Sequence, residues 1–412
     1  MGGGAAGFFA AISLAEYDPE AKIVIFEKSR KTLSKVKVSG GGRCNVTHSC
    51  FDPKELSTHY PRGRRELLGA FHSWQPRDTI EWFAQKGIEL KTEADGRMFP
   101  TTDDSSTIIN CFRDATNEHH IETKTQTSVS KIETQSRTLD FSPTPQSPTE
   151  FTLHLSSGQT FIAHNIVLCT GGTKGDPDSN LAAQLGHTIT PLAPSLFTFH
   201  IDDPRLNDLQ GLSVPRATVT CRSEKLIQQG PVLITHWGLS GPGVLKLSAW
   251  GARNLAARDY KFEIELNWLG SAKLEYVVEI LRQSKNDNAK RALSNHCPFD
   301  LPKRLWNRFL EYLDIKGETQ WAQLSKKQTN QLAELLVASK FQVDGKSMNK
   351  EEFVTCGGVK LTEVNLKTME SKKVPGLHFA GEVLDIDGIT GGFNFQAAWT
   401  TARLAARHIA EI

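Results

Sequence analysis

"MGGGAAGFFAAISLAEYDPEAKIVIFEK", Met1–Lys28, decides the fold. Gly2, Gly4 and Gly7 form the pattern G-x-G-x-x-G, which in dinucleotide-binding folds occupies the turn between a first strand and a first helix. The small residues from Ala5 to Ala15 suit a helix packed closely on a sheet, and Lys22–Phe26 reads as a buried strand ending in an acid, Glu27. That acid stands 20 residues after Gly7. At this spacing a carboxylate accepts hydrogen bonds from a ribose, while the glycines let the backbone approach a pyrophosphate at a helix N-terminus. A Gly-rich arm without a ligand is the alternative, and the helix, strand and acid at these offsets speak against it.

The first strand of such a fold is missing, because Met1 alone precedes the glycines. That strand lies near the middle of a parallel sheet, so its absence would leave unpaired ladder groups costing about 1–3 kcal/mol each if buried. A start codon assigned too late is the simplest explanation, and a short N-terminal extension is the expectation.

Composition bounds the rest. Forty-eight Lys and Arg against 46 Asp and Glu leave a net charge of +2 over 412 residues, far from the excess of a non-specific nucleic-acid binder. The cluster Arg62, Gly63, Arg64, Arg65 reads as a solvated surface patch. No run approaches the roughly 18 apolar residues of a membrane span, and the apolar start lacks the basic residues of a signal peptide. Seven cysteines (Cys44, Cys50, Cys111, Cys169, Cys221, Cys297 and Cys356) show no C-x-x-C and no paired metal spacing. They are expected as reduced thiols of a cytoplasmic protein and speak against a dithiol reductase.

Along the chain, Pro53–Thr123 is mixed and mostly helical, and residues 125–165 alternate as short strands around the Ser/Thr/Pro-rich flap "SPTPQSPTE", Ser142–Glu150. "NIVLCTGG" is a buried strand running into two glycines. Short apolar runs punctuated by Pro, Gly and Thr mark 191–271 as β structure, 272–342 is helical, and 343–412 returns to strand and glycine before a closing helix. A first domain, 1–190 with 343–412, is thus interrupted by a β domain and a helical segment.

Three further glycine clusters stand beside the first: "SGGGRCNVTH" (Ser39–His48), "CTGGTKG" (Cys169–Gly175) and "FAGEVLDIDGITGGFNFQAAW" (Phe379–Trp399). Each alone is readable as a tight turn. In the last, a strand delivers Glu382 and "GITGGFN" opens the terminal helix. The free N–H groups and positive dipole end of such a helix suit the pyrimidine edge of a flavin, with Glu382 placed for the ribityl hydroxyls.

These segments, together with "DGRMFPTTDDSS", "THWGLSGP" and "TCGGVKLTEVNLKTMESKKVPGLHFAGEVLDIDGITGGFN", resemble the BaiN-like FAD-dependent oxidoreductases, also called YhiN-type or aminoacetone-oxidase-like flavoproteins. The resemblance runs from Gly2 to the C-terminus. It implies an α/β fold: a discontinuous, Rossmann-like FAD domain of the two-dinucleotide-binding type, with an inserted β-barrel-like domain and a helical segment. By that resemblance Gly2, Gly4, Ala5, Ala6 and Gly7 hold the pyrophosphate, Glu27 holds the adenosine ribose with Lys28 beside it, and the Val129 backbone meets the adenine. Gly41, Gly42, Arg43, Cys44 and Asn45 line the phosphate and flavin side, and Thr170 and Gly171 pack near the pyrophosphate. Glu382, Asp385, Gly391, Gly392, Phe393 and Asn394 frame the ribityl chain and ring. The loop "TKGDPDSNLAAQLGH" is shorter than the family's, which leaves the substrate mouth open to difference.

The flavin brings its own reactive atom, N5, so the protein supplies position, water exclusion and a proton. His236 is the candidate for a polar group near substrate or flavin, a structural histidine at the "GLSGPG" turn being the alternative. Cys44 reads as a packing thiol. No second G-x-G-x-x-G offers NAD(P)H a domain of its own, so NAD(P)H as reductant docks on the open face. The expected activity is NAD(P)H-dependent reduction of an unsaturated or keto small molecule through FAD, with no nucleic-acid or membrane partner. An amine oxidase using oxygen, an RNA-modifying flavoprotein and an inactive remnant are the alternatives.

Overall fold

The computed structural model describes residues 1–136, 149–172, 180–347 and 354–412. Most of the Ser142–Glu150 flap and the start of the loop after Gly172 lie outside them. The chain divides into two compact units, 1–194 with 350–412, and 195–349.

In the first unit, the helix Ala5–Tyr17 is buried on most of its circumference, as its run of small and apolar residues requires. The terminal helix Phe393–Glu411 buries Ala397, Ala398, Ala402, Ala405 and Ala406. Small side chains permit close backbone approach: a Cβ on Gly381 would stand 2.9 Å from the Ala6 Cβ. Around these helices the rings of Phe9, Trp82, Phe112 and Trp399 pack at centroid separations of 4.9–5.9 Å, mostly edge-on or tilted as aromatic quadrupoles prefer.

The parallel sheet is in two pieces. Val24–Phe26 pairs in parallel with Glu122–Lys124, and Ile166–Leu168 pairs in parallel with Leu377–Phe379. Among the described residues, Met1 and Gly2 bridge them. The Gly2 N–H donates to Phe26 O at 2.8 Å, the Cys169 N–H donates to Met1 O at 2.8 Å, and the buried Met1 amine donates to Val167 O at 2.7 Å. The spatial order, with Met1–Gly2 at the centre, is that of a Rossmann-type sheet. An antiparallel sheet of Val129–Ser136, Thr149–Leu155 and Thr160–Ala163 lies in the same unit.

The second unit is a seven-stranded antiparallel sheet in the order Ser339–Asp344, Lys261–Asn267, Ser213–Cys221, Leu226–Thr235, Gly238–Ser240, Thr198–His200, Lys346–Ser347. In keeping with a barrel-like domain, its two edge strands follow each other in the chain through Gly345, at φ +133°, whose N–H donates to Tyr260 O at 3.0 Å and whose carbonyl accepts the His200 N–H at 3.0 Å. The sequence reading missed the helices Pro242–Trp250 and Ala252–Ala257. Pro242 sits at a first helical position, where its missing N–H costs nothing, so "GLSGPG" is a helix start as well as a turn. Phe262 and Phe341 of the sheet, with Trp268 just past its strand, share one core with Leu281, Trp306, Phe309 and Trp321 of the helical stretch. The stretches 191–271 and 272–342 therefore bury against each other, and Ser339–Asp344 completes their sheet.

Among the described residues, which include all seven cysteines, no disulfide forms. No helix among the described residues is long and apolar enough to cross a membrane.

Candidate functional site

The first glycine turn closes because two of its residues have no Cβ. Gly2 takes φ +105°, and a Cβ there would stand 2.2 Å from Cys169 O; one on Gly7 would stand 1.9 Å from Gly2 O. Gly4 differs: its backbone is extended and a Cβ would meet nothing within 4 Å. The helix that follows has no side-chain N-cap and no acid in its first turn, so the first N–H groups, Ala5 and Ala6 included, offer a positive end to an anion.

Glu27 is fixed beside this turn. Its Oε2 accepts the Gly3 N–H at 2.7 Å and its Oε1 accepts the Ser29 N–H at 2.7 Å. Each carboxylate oxygen retains a lone pair for a further donor such as a ribose hydroxyl. Lys28 follows, exposed. Val129 opens its strand two residues after Thr127, whose N–H donates to Glu27 O at 2.9 Å. Thr170 is close as well, its nitrogen 3.1 Å from the position a Gly2 Cβ would take. Gly2, Gly4, Ala5, Ala6, Gly7, Glu27, Lys28, Val129, Thr170 and Gly171 are thus gathered at the ends of the central strands.

A second set forms at the start of the terminal helix. Gly40, Gly41 and Gly42 take φ of +59°, +70° and +88° and break the helix Ser34–Gly42 at its end. Cβ atoms on Gly41 and Gly42 would point into open space. Gly391 and Gly392 take φ of +135° and +91°, and a Cβ on Gly392 would meet Thr47 O at 2.4 Å. The Asn45 amide satisfies this approach: its oxygen accepts the Gly392 N–H at 2.9 Å and its nitrogen donates to Thr47 O at 3.0 Å and Met98 O at 3.3 Å. Asn394 closes the loop ahead of it, accepting the Gly388 N–H at 2.8 Å and donating to Gly388 O at 2.9 Å. The helix Phe393–Glu411 again begins with no side-chain cap and no acid in its first turn.

Between the two sets stands Glu382. Its Oε1 accepts the Thr355 N–H at 2.6 Å, its Oε2 takes the Lys35 ammonium at 2.5 Å, and Gly171 lies beside it. The Asp385 N–H donates to Val359 O at 3.1 Å.

The structure also gives surroundings to the other residues singled out in the sequence. Arg43 turns its guanidinium to Glu93 at 2.6 Å and over the Phe99 ring at 3.9 Å, so it anchors the glycine loop from outside. Cys44 is buried, and burial pushes its thiol up to about 12; it is a packing residue. His236 is exposed in the turn between two strands of the second unit. Arg62 is no solvated patch residue: it pairs with the fully buried Asp387 through two hydrogen bonds, Nε to Oδ1 at 2.5 Å and Nη2 to Oδ2. Gly63 starts a helix at φ +84°, and Arg64 and Arg65 are exposed.

Other site residues carried no readable signal. Lys35 is one. The rings of His48 and His59 both stack on Phe393, at 4.6 and 4.3 Å. The Tyr60 hydroxyl donates to Phe393 O at 2.6 Å. Buried Gln396 ties the loop to the helix, accepting from the Thr47 hydroxyl at 2.6 Å and the Thr79 hydroxyl at 3.1 Å. The "TKGDPDSNLAAQLGH" departure begins in residues outside the described ones.

Residues 1–408 match the family described as the HI0933-like protein Rossmann domain. The chain belongs to this family. Among relatives, it is 29% identical to the "Ribosomal RNA dihydrouridine synthase" of Escherichia coli (strain K12), over 99% of this chain and 96% of that one. It is 26% identical to the "3-dehydro-bile acid delta(4,6)-reductase" of Clostridium scindens, over 100% of this chain and 98% of that one. Among solved structures, it resembles the 3-ketosteroid-delta4-(5alpha)-dehydrogenase of Rhodococcus jostii RHA1 in complex with 4-androstene-3,17-dione, at 13% identity and a TM-score of 0.49, covering 99% and 95% of the two chains.

As a member of the HI0933-like family, the chain is an FAD-dependent oxidoreductase. Its own residues fit that cofactor. Gly4, Gly41 and Gly42 leave space that a Cβ would enter, and two helices begin with uncapped N-termini free of first-turn acids, the ends that favour negatively charged groups.

Proposed function

We propose that this oxidoreductase uses NAD(P)H to reduce a carbon–carbon double bond conjugated to a carbonyl. Bound FAD supplies the hydride transfer, at its N5. The observation that carries the reading is the likeness, over essentially the whole chain, to relatives named for two such reductions, one in a steroid nucleus and one in a uracil ring.

In this reading the backbone of Gly2–Gly7 with the first N–H groups of Ala5 and Ala6 holds the pyrophosphate, and Glu27 takes the adenosine ribose. Gly391, Gly392 and the first turn of the Phe393 helix face the flavin's pyrimidine edge, where reduction places negative charge that the helix end stabilises by about 0.3–1 kcal/mol or more when water is excluded. Glu382, held by Lys35 and the Thr355 N–H, stands for the ribityl chain. The buried thiols, Cys44 pushed to about 12 and Cys169 to about 11 by burial, take no part in electron transfer at neutral pH. Seven cysteines without a disulfide agree with a cytoplasmic setting.

Anaerobic mixing with NADH and with NADPH tests the reading. Bleaching of the oxidised flavin by either, followed by reoxidation with an enone, supports it; no bleaching by either, with bleaching by an amine and reoxidation of the reduced flavin by oxygen, overturns it in favour of an oxidase.

A second reading takes the acceptor to be a uracil within RNA. The ribosomal RNA dihydrouridine synthases, at 29% identity, favour it. With a net charge of +2, binding would rest on local rather than overall charge and weaken with salt. Retention of reduced-flavin oxidation by ribosomal RNA, with none by a free enone, separates the two.

A further inference from the structure

One cluster of metal-ligating side chains meets the candidate flavin site only through the His59 ring on Phe393. Cys50, Glu55 and His59 bring one sulfur, one carboxylate oxygen and one ring nitrogen within 4.8 Å of one another. The sequence builds this locally. Asp52 caps the short helix Pro53–Ser57, its Oδ1 accepting the Glu55 N–H at 2.7 Å, and Pro53 presets the first helical position. Glu55 and His59 are four residues apart and face the same way on this turn, which the His59 N–H closes on Leu56 O at 3.1 Å. Cys50 stands just before the cap, buried, with the Asp52 N–H directed at its sulfur. Glu55 is exposed and His59 half-buried, which leaves an ion a path from solvent.

We propose that Cys50, Glu55 and His59 bind one Zn²⁺ ion through thiolate, carboxylate and imidazole, with water in the fourth position. A sulfur, nitrogen and oxygen set is the donor chemistry of a borderline-soft, tetrahedral ion, and it disfavours Mg²⁺ and Ca²⁺, which take oxygen alone. Binding releases the thiol proton to solvent, and the thiolate and carboxylate then balance the ion's two charges. The His59 ring stacks on Phe393 at 4.3 Å and 18°, so an ion that fixes His59 also steadies the first residue of the terminal helix. Its role is to position the Gly391–Gly392 turn, with no part in the electron transfer.

The test uses the full flavin-loaded chain, dialysed against zinc chloride and desalted. Metal analysis is expected to find one zinc per chain, and zinc-edge X-ray absorption a single sulfur at about 2.3 Å. Cys50→Ser removes the sulfur signal. Glu55→Gln, at an exposed position where folding is not at stake, weakens zinc affinity at least about tenfold, while Cys297→Ser leaves both readouts unchanged. Failure to retain zinc in the unaltered chain, or a zinc–sulfur signal that survives Cys50→Ser, overturns the proposal.

Discussion

A Cβ on Gly7 would stand 1.9 Å from the carbonyl oxygen of Gly2. The glycine turn is therefore a packing requirement at one residue and a ligand requirement at another, because Gly4 in the same turn faces open space. The two substitutions separate these demands. Gly7→Ala displaces the Gly2 carbonyl and costs about 1–3 kcal/mol, with loss of FAD. Gly4→Ala keeps the fold within about 1 kcal/mol yet weakens FAD binding about tenfold or more. Thermal unfolding of the apoprotein and flavin titration check the pair.

Glu27 tells a similar story through hydrogen bonds. It accepts the N–H groups of Gly3 and Ser29 on its two oxygens. Glu27→Gln turns one acceptor into a donor, so one N–H faces a like group and stability falls by about 1–3 kcal/mol. FAD affinity falls with it, because the Gly3–Glu27 bond shapes the turn. Urea unfolding and flavin titration on the same variant give both quantities.

The Arg62–Asp387 pair is a second anchor, with the carboxylate fully buried. Removing one partner leaves the other in a low-dielectric site, at a cost of about 3–5 kcal/mol where no other group compensates. The separate losses of Arg62→Met and Asp387→Leu are expected to sum to more than the loss of the double variant. A double-mutant cycle measures the coupling, expected above about 1 kcal/mol.

Acid sensitivity follows from a buried histidine. Burial, with His408 Nδ1 at 2.9 Å, lowers His378 from 6.5 to about 3. The folded chain keeps it neutral while the unfolded chain protonates it below about pH 6.5. Stability is full above that pH and falls as the pH drops toward 3, by up to about 1.4 kcal/mol per pH unit. Burial lowers His187 in the same direction. Glu363 acts in another window: burial opposes the shift, but Lys373 and Thr188 bring it from 4.5 to about 2, so its contribution is lost only below pH 4.5. Urea midpoints between about pH 7 and 5 are expected to fall in the unaltered chain and to fall less in His378→Gln.

What was legible in the sequence was what backbone geometry dictates. Gly2, Gly7, Gly391 and Gly392 are glycines because a Cβ would strike a carbonyl or neighbouring ring, and the offset to Glu27 reflects one helix and one strand. Pairings between distant segments left no such trace. Lys35 meets Glu382 across 347 positions, Arg62 meets Asp387 across 325, and Gln396 meets Thr47 across 349. A charged or polar residue destined for such a partner looks in sequence like a surface residue, which is how Arg62 was read. The helix Pro242–Trp250 was hidden by its own start, since Gly-Pro-Gly signals a turn and a helix entry alike. The barrel-like domain was legible only as a run of short strands, and the return through Gly345, which sets the two edge strands of the sheet end to end, left no pattern of its own.

The measurement that tests the central claim most directly is the visible spectrum of the purified chain after desalting, before and after anaerobic addition of NADPH or NADH. The account predicts one FAD per chain, with oxidised-flavin bands that bleach on addition of one of the two nucleotides. A colourless chain that takes up no FAD when the cofactor is supplied would contradict it.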